Sequence, residues 1–141
     1  MDKISFDKFQ AVDIRIGTVK KADVPEWSHW VIRMEIDFGE EIGIKKAFSG
    51  IMKFFTPAQL IGKQFPFVVN LEPKKIGPDK EMSEAMMIMA TPTALQSGGQ
   101  AVPDEEDEPA RNASSIADAG GETPTVLFKL QKKVPNGTKV R

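Results

Sequence analysis

The sequence predicts an all-β fold: a five-stranded barrel with a short helix between strands three and four and one helical turn at the N-terminus. Three observations predict it. Apolar residues alternate with polar ones in short runs parted by turn residues. The segment that breaks this alternation with helix-start chemistry falls after the third run. The chain has 141 residues, 40% of them apolar, which fits one domain with one core. Residues 1–141 are therefore read as a single domain.

The elements follow in order. Ser5 starts a helical turn over SFDKFQ. Val12, Ile14 and Ile16 alternate with Asp13 and Arg15 in a first strand. The parity shifts after Gly17, which predicts a bulge or sharp bend there. Trp30, Ile32, Met34, Ile36 and Phe38 form the clearest alternating run, and Gly39-Glu40-Glu41 reads as a hairpin turn. A third strand begins at Ile42 and Ile44. Thr56-Pro57-Ala58-Gln59 is a capping box with proline at the first helical position. Residues 64–71 return to strand, with Pro66 marking an edge or a strand start. AMMIMA at 85–90 is the fifth strand, and VLFKLQ at 126–131 pairs back onto it. Three strands, a helix and two strands is the order of an OB-fold barrel, an architecture that binds oligonucleotides on its middle strands.

Charge separates the body from an insert. Residues 101–125 hold seven acids and one base, a net of −6, while the remainder holds 18 bases and 13 acids, a net of +5. The insert, at about 93–125, is rich in Gly, Pro, Ala and Ser and shows no period, so a flexible acidic loop is expected. The absence of cysteine excludes thiolate chemistry, and the single histidine, His29, excludes a multi-histidine metal site. No phosphate-binding glycine loop is present. No enzyme, no cofactor and no metal are expected. No apolar run approaches a membrane span, and a cytoplasmic protein is expected.

The basic residues carry the binding signal. Lys45 and Lys46 end the third strand, Lys53 is assigned to the connecting helix, and Lys74 and Lys75 follow the fourth strand with Lys80. In an OB barrel these can converge on one rim that neutralises phosphates. Asn70 and Ser83 are expected at its floor, with Met86 beside them, groups that suit hydrogen bonding and packing against a splayed base. Phe54 and Phe55 read as core packing before stacking platforms.

At this point the residues resemble a family. DIRIG at 13–17, DFGEEIGIKK at 37–46, Ser49-Gly50, TPAQLIGKQ at 56–64, VVNLEPKKIG at 69–77 and SEAM at 83–86 resemble the tRNA-binding OB domain. That domain occurs as free-standing dimeric proteins and as the C-terminal appendage of methionyl-tRNA synthetases. DFGEEIGIK, LIGKQ and the closing VPNGTKVR look most like the CsaA-type export chaperone. The resemblance implies a homodimer built on SFDKF and VPNGTKVR, with tRNA as partner and Ser49 added to the RNA-binding set. It further implies a methionyl-tRNA synthetase as an associated partner. Its alternative implication is a peptide-binding chaperone for unfolded export proteins. The chain departs from the family at PEWSHW, where a basic loop is usual, at Ala85 in place of glycine, and in a Gly77–Ser83 loop lengthened by PDKEM.

Overall fold

The computed structural model describes residues 1–92 and 125–141. The described elements are α1 (Phe6–Gln10), β1 (Ile14–Asp23), β2 (Ile32–Asp37), α2 (Gly39–Ile42), β3 (Ile44–Ser49), α3 (Pro57–Leu60), β4 (Gln64–Val68), β5 (Lys74–Ile76), β6 (Glu81–Ser83), β7 (Met86–Met87), β8 (Met89–Ala90), β9 (Val126–Leu127) and β10 (Lys139–Val140). The expected flexible insert lies almost wholly outside the described residues.

The main sheet runs β3-β2-β1-β4-β7, every neighbouring pair antiparallel. A parallel bridge between Ala47 and Ala85 joins β3 to the segment entering β7, so the five strands nearly close on themselves. This is the order of an OB-type barrel, with α3 between β3 and β4 as the sequence predicts. Alternation fixes which side chains fill it. Ile32, Met34 and Ile36 point in and are buried, while Arg33, Glu35 and Asp37 face outward. They pack with Val19, Phe38, Ala47, Leu60, Phe67 and Met87, and the Phe38 and Phe67 rings meet edge to face at 5.4 Å. Phe55 packs against this core.

Several expectations need correction. The bulge of β1 is at Lys20: Val19 pairs with Ile36 and Lys21 with Glu35, leaving one residue over. Gly17 serves a different need. A Cβ there would lie 2.4 Å from Ile36 and 2.6 Å from Phe38, so only glycine lets β2 press this closely. The expected turn at Gly39–Glu41 is the short helix α2, closed by Gly43 at φ +85°. Pro66 lies in an interior strand, flanked by β1 and β7. The ladder to β7 covers only Phe67 and Val68, so the missing N–H breaks no bond there. Of VLFKLQ only Val126 and Leu127 are strand, and they pair with Ala90 and Met89 in a separate two-stranded sheet rather than closing the barrel.

The C-terminal tail does what the alternation of 126–131 cannot. β10 pairs with Ile14 and Arg15 at the start of β1, beside the part of that strand that pairs with β2. The Gln64 side chain bonds both backbone groups of Val134, at 2.7 and 3.0 Å. Thr18 Oγ1 and Gln64 Nε2 both donate to Asn136 Oδ1, at 2.6 and 3.0 Å. Short side-chain bonds of this kind tie a segment with little apolar content to a barrel wall.

Candidate nucleic-acid interface

The outward faces of β1, β2 and β3 form two cross-strand rows. Lys21, Glu35 and Lys46 make one, and Asp23, Arg33 and Phe48 the other. The pairing registers place these side chains together, although they are far apart in sequence. Arg33 donates to Asp23 through Nε at 3.0 Å and Nη2 at 2.6 Å, a bidentate fork.

A second element closes over this face. β5 and β6 form a hairpin with Lys74 opposite Ser83, Lys75 opposite Met82 and Ile76 opposite Glu81. It is tethered to β3 by reciprocal bonds. The Lys46 N–H donates to Glu84 Oε1 at 3.0 Å, and the Glu84 N–H donates to the Lys46 carbonyl at 2.7 Å. Glu81 faces the barrel and accepts from Arg33 Nη1 at 2.7 Å and Lys46 Nζ at 3.0 Å. The hydrogen bond from Lys46 foremost, and that from Arg33, hold its carboxyl below the ordinary carboxylate value. The Arg33 guanidinium is raised above its ordinary value, chiefly by its bond to Asp23. Strand, hairpin and bulge together line an open cavity of about 430 Å³.

The hairpin turn is set by Gly77, at φ +77°, against which Trp27 packs. The Trp27 ring centroid is 6.3 Å from that of Phe48, tilted by 35°. Beyond Phe48 a shallow groove of about 390 Å³ runs past Ser49, Gly50 and Met86 to Met89. Ser49 is buried at its wall, and Met86 is 50% exposed.

The sequence-derived residues are thus distributed. Lys46, Lys74 and Ser83 come together where β3 meets the β5–β6 hairpin, and Ser49 and Met86 share the groove. Lys75 falls on the opposite face of the hairpin from Lys74, since neighbouring strand residues point oppositely. Lys45 lies opposite Ile36 on the inward parity of β3, half-buried, apart from Lys46. Lys53 is exposed in a turn at 52–54 rather than on the helix, which starts at Pro57. The Asn70 amide is engaged elsewhere than a rim floor: Oδ1 accepts from the Asp13 N–H at 2.9 Å, and Nδ2 donates to the Ala11 carbonyl at 2.6 Å. Sequence reasoning did not single out Arg33, Phe48 or Glu81. The signal of Arg33 and Phe48 lies in the β2–β3 register, and that of Glu81 in how the hairpin seats on β3, neither of which sequence alone specifies.

A small, nearly closed β-barrel with a mixed-charge strand face and a lysine-bearing hairpin defines a binding module of the oligonucleotide-binding type. Residues 14–114 match the family described as "Putative tRNA binding domain", and the chain belongs to that family. It is 41% identical over 73 residues, 52% of its length, to a methionine–tRNA ligase of Methanothrix thermoacetophila. A ligase of Cupriavidus metallidurans is 36% identical over 90 residues. The matched stretch spans only 10% and 13% of those two enzymes. Among solved structures, the chaperone CsaA of Bacillus anthracis str. Ames is similar with a TM-score of 0.69 and 30% identity, covering 99% of this chain and 100% of that one. A MetRS-related protein of Pyrococcus horikoshii gives a TM-score of 0.73 and 27% identity, each chain covered in full.

Proposed function

We propose that this chain is a non-catalytic tRNA-binding module acting in the cytoplasm. It recognises the shape of the RNA through the β1–β2–β3 face and the β5–β6 hairpin. The observation that carries this reading is the family match, which spans the face and the hairpin alike. Lys74 and Lys75 are exposed on that hairpin and meet phosphates from its two faces. The relation to methionine–tRNA ligases supports a synthetase as an associated partner. The test is a titration against tRNA at several salt concentrations, with Lys74→Ala and Lys75→Ala combined. Binding should fall steeply with salt, and the double replacement should weaken it and flatten the slope by one to two units. A correctly folded double variant with unchanged affinity and slope would refute the reading.

One observation favours a second reading. The groove from Phe48 to Met89 is lined by Met86, Met87, Ile88 and Met89, adaptable apolar side chains of the kind that accept varied peptides. With the CsaA likeness this supports a chaperone that holds unfolded export proteins. Peptide binding there would respond weakly to salt, which separates it from tRNA binding.

The same module is proposed to act as a homodimer. α1 has no buried residue, and Phe6 and Phe9, 68% and 42% exposed, stack their rings 6.4 Å apart. Ile4, Val12 and Val140 are also exposed near the two ends of the chain. A second copy of this chain would cover them.

A further inference from the structure

Outside the hairpin lysines, the striplike charge of the strand face is balanced. Three cations, Lys21, Arg33 and Lys46, line its cavity with three anions, Asp23, Glu35 and Glu81. The anions differ in what they do. Asp23 is the partner of Arg33 along its fork, and it leaves Nη1 free of that pairing. Glu35 stands between Lys21 and Lys46 in the ladder. Glu81 alone comes from outside the barrel sheet, from β6, and its two carboxylate oxygens divide between Arg33 Nη1 and Lys46 Nζ. Its side chain is only 16% exposed, although it sits at a surface cavity.

Two cationic groups converging on two oxygens of one anion is the geometry by which proteins hold a phosphate. Resting on the tRNA reading above, we infer that Glu81 is an intramolecular phosphate mimic. It occupies the site that Arg33 and Lys46 would otherwise offer to an RNA phosphodiester, and so sets the affinity of the strand face. The hairpin has a second anchor beside this carboxylate. The reciprocal bonds between Glu84 and Lys46 fix it on β3 independently, and neither involves a side-chain cation. Anchoring and charge masking are thereby assigned to two different glutamates three residues apart. With the mask in place, exposed Lys74 and Lys75 alone would not draw every polyanion onto the strands. An RNA phosphate must displace Glu81, and only a ligand already held by the hairpin lysines is positioned to do so.

The experiment compares the full chain with Glu81→Gln, Glu84→Gln and Glu81→Asp, each titrated with tRNA and separately with inorganic tripolyphosphate at several salt concentrations. Glu81→Gln should bind tRNA about tenfold more tightly at low salt, the scale of one charge-assisted hydrogen bond. Its salt slope should steepen by about one unit, for one added phosphate contact. It should gain for tripolyphosphate as well. Glu84→Gln removes the same formal charge without freeing a cation, and should not gain. Glu81→Asp keeps the mask and should stay near the parent. Amide protection at Lys46 and Glu84 reports whether the hairpin is seated. Should Glu81→Gln unseat it, Glu81→Met takes its place under the same criteria. A seated variant that binds both ligands no better than the parent overturns the inference. So does an equal gain in Glu84→Gln, which would show a general charge effect. If no protein binds tRNA while Glu81→Gln still gains for tripolyphosphate, the tRNA reading falls and the mask stands. If all bind tRNA alike with no gain for tripolyphosphate, the reverse holds.

Discussion

Single residues here decide how elements meet. Gly77 combines a left-handed φ of +77° with a Trp27 ring that a Cβ would meet at 2.5 Å. Gly77→Ala should therefore lower stability by about 1–3 kcal/mol, the usual cost of a strained non-glycine backbone. It should also move Trp27, seen as a change in tryptophan emission. Asn70 is a structural clamp between the end of β4 and the turn before β1. Asn70→Ala should cost about 1 kcal/mol in denaturant unfolding, since its two bonds are solvent-exposed. It should change tRNA affinity little at matched folded fraction. Glu81 links stability to pH. Its folded value is depressed, so its contribution is fully present above the ordinary carboxylate range and is lost as pH falls through the lowered folded value. A pH series of thermal melts should show that loss in the parent and not in Glu81→Gln.

At the scale of elements, the hairpin and the tail are joined to the barrel by polar contacts, whereas β1, β2 and β4 are joined by their shared core. The β5–β6 hairpin rests on Arg33, Lys46, Glu81 and Glu84. Its amides should exchange faster than those of the β1–β2 ladder, and high salt should accelerate them further, because ion pairs at a surface are screened. Equal protection in both ladders at 1 M salt would disprove this. For the tail, Asn136 accepts from both Thr18 and Gln64. Asn136→Ala should destabilise by about 1–3 kcal/mol, leaving partly buried donors without an acceptor. Loss of β10 pairing should appear first at Ile14 and Arg15.

At the scale of the whole molecule, the barrel is nearly closed and the apolar residues of its N-terminal segment are left uncovered. Phe6 and Phe9 lie open on a five-residue helix that cannot be stable alone. Sedimentation at micromolar concentration should give a dimer, and Phe6→Asp with Phe9→Asp should give a monomer. A parent chain that sediments as a monomer would remove the dimer from the proposed function. Deleting residues ~97–124 should leave the melting temperature nearly unchanged, because that composition cannot build a core.

The alternation of Ile32, Met34, Ile36 and Phe38 and the capping box at Thr56 are local signals, and they made the barrel order and the position of α3 legible without coordinates. The motifs at 37–46 and 69–77 likewise made the family legible, since a family signature is a property of the chain. Register was not legible. A one-residue slip turns every side chain of a strand to the other face, and nothing local sets the partner across the sheet. That is why it was not legible which of Lys45 and Lys46 turns outward on β3, and why Arg33, Phe48 and Glu81 could not be assembled in advance. The tail escaped for the same reason. Residues 134–140 have no period of their own, and β10 exists because β1 offers an unpaired edge beside β2 and Gln64 and Thr18 offer polar partners. The sequence determined a small barrel of this family. The tertiary structure alone decided which charges face one another on it, because pairing energy between distant side chains is realised only when closure of the barrel brings them within hydrogen-bonding reach.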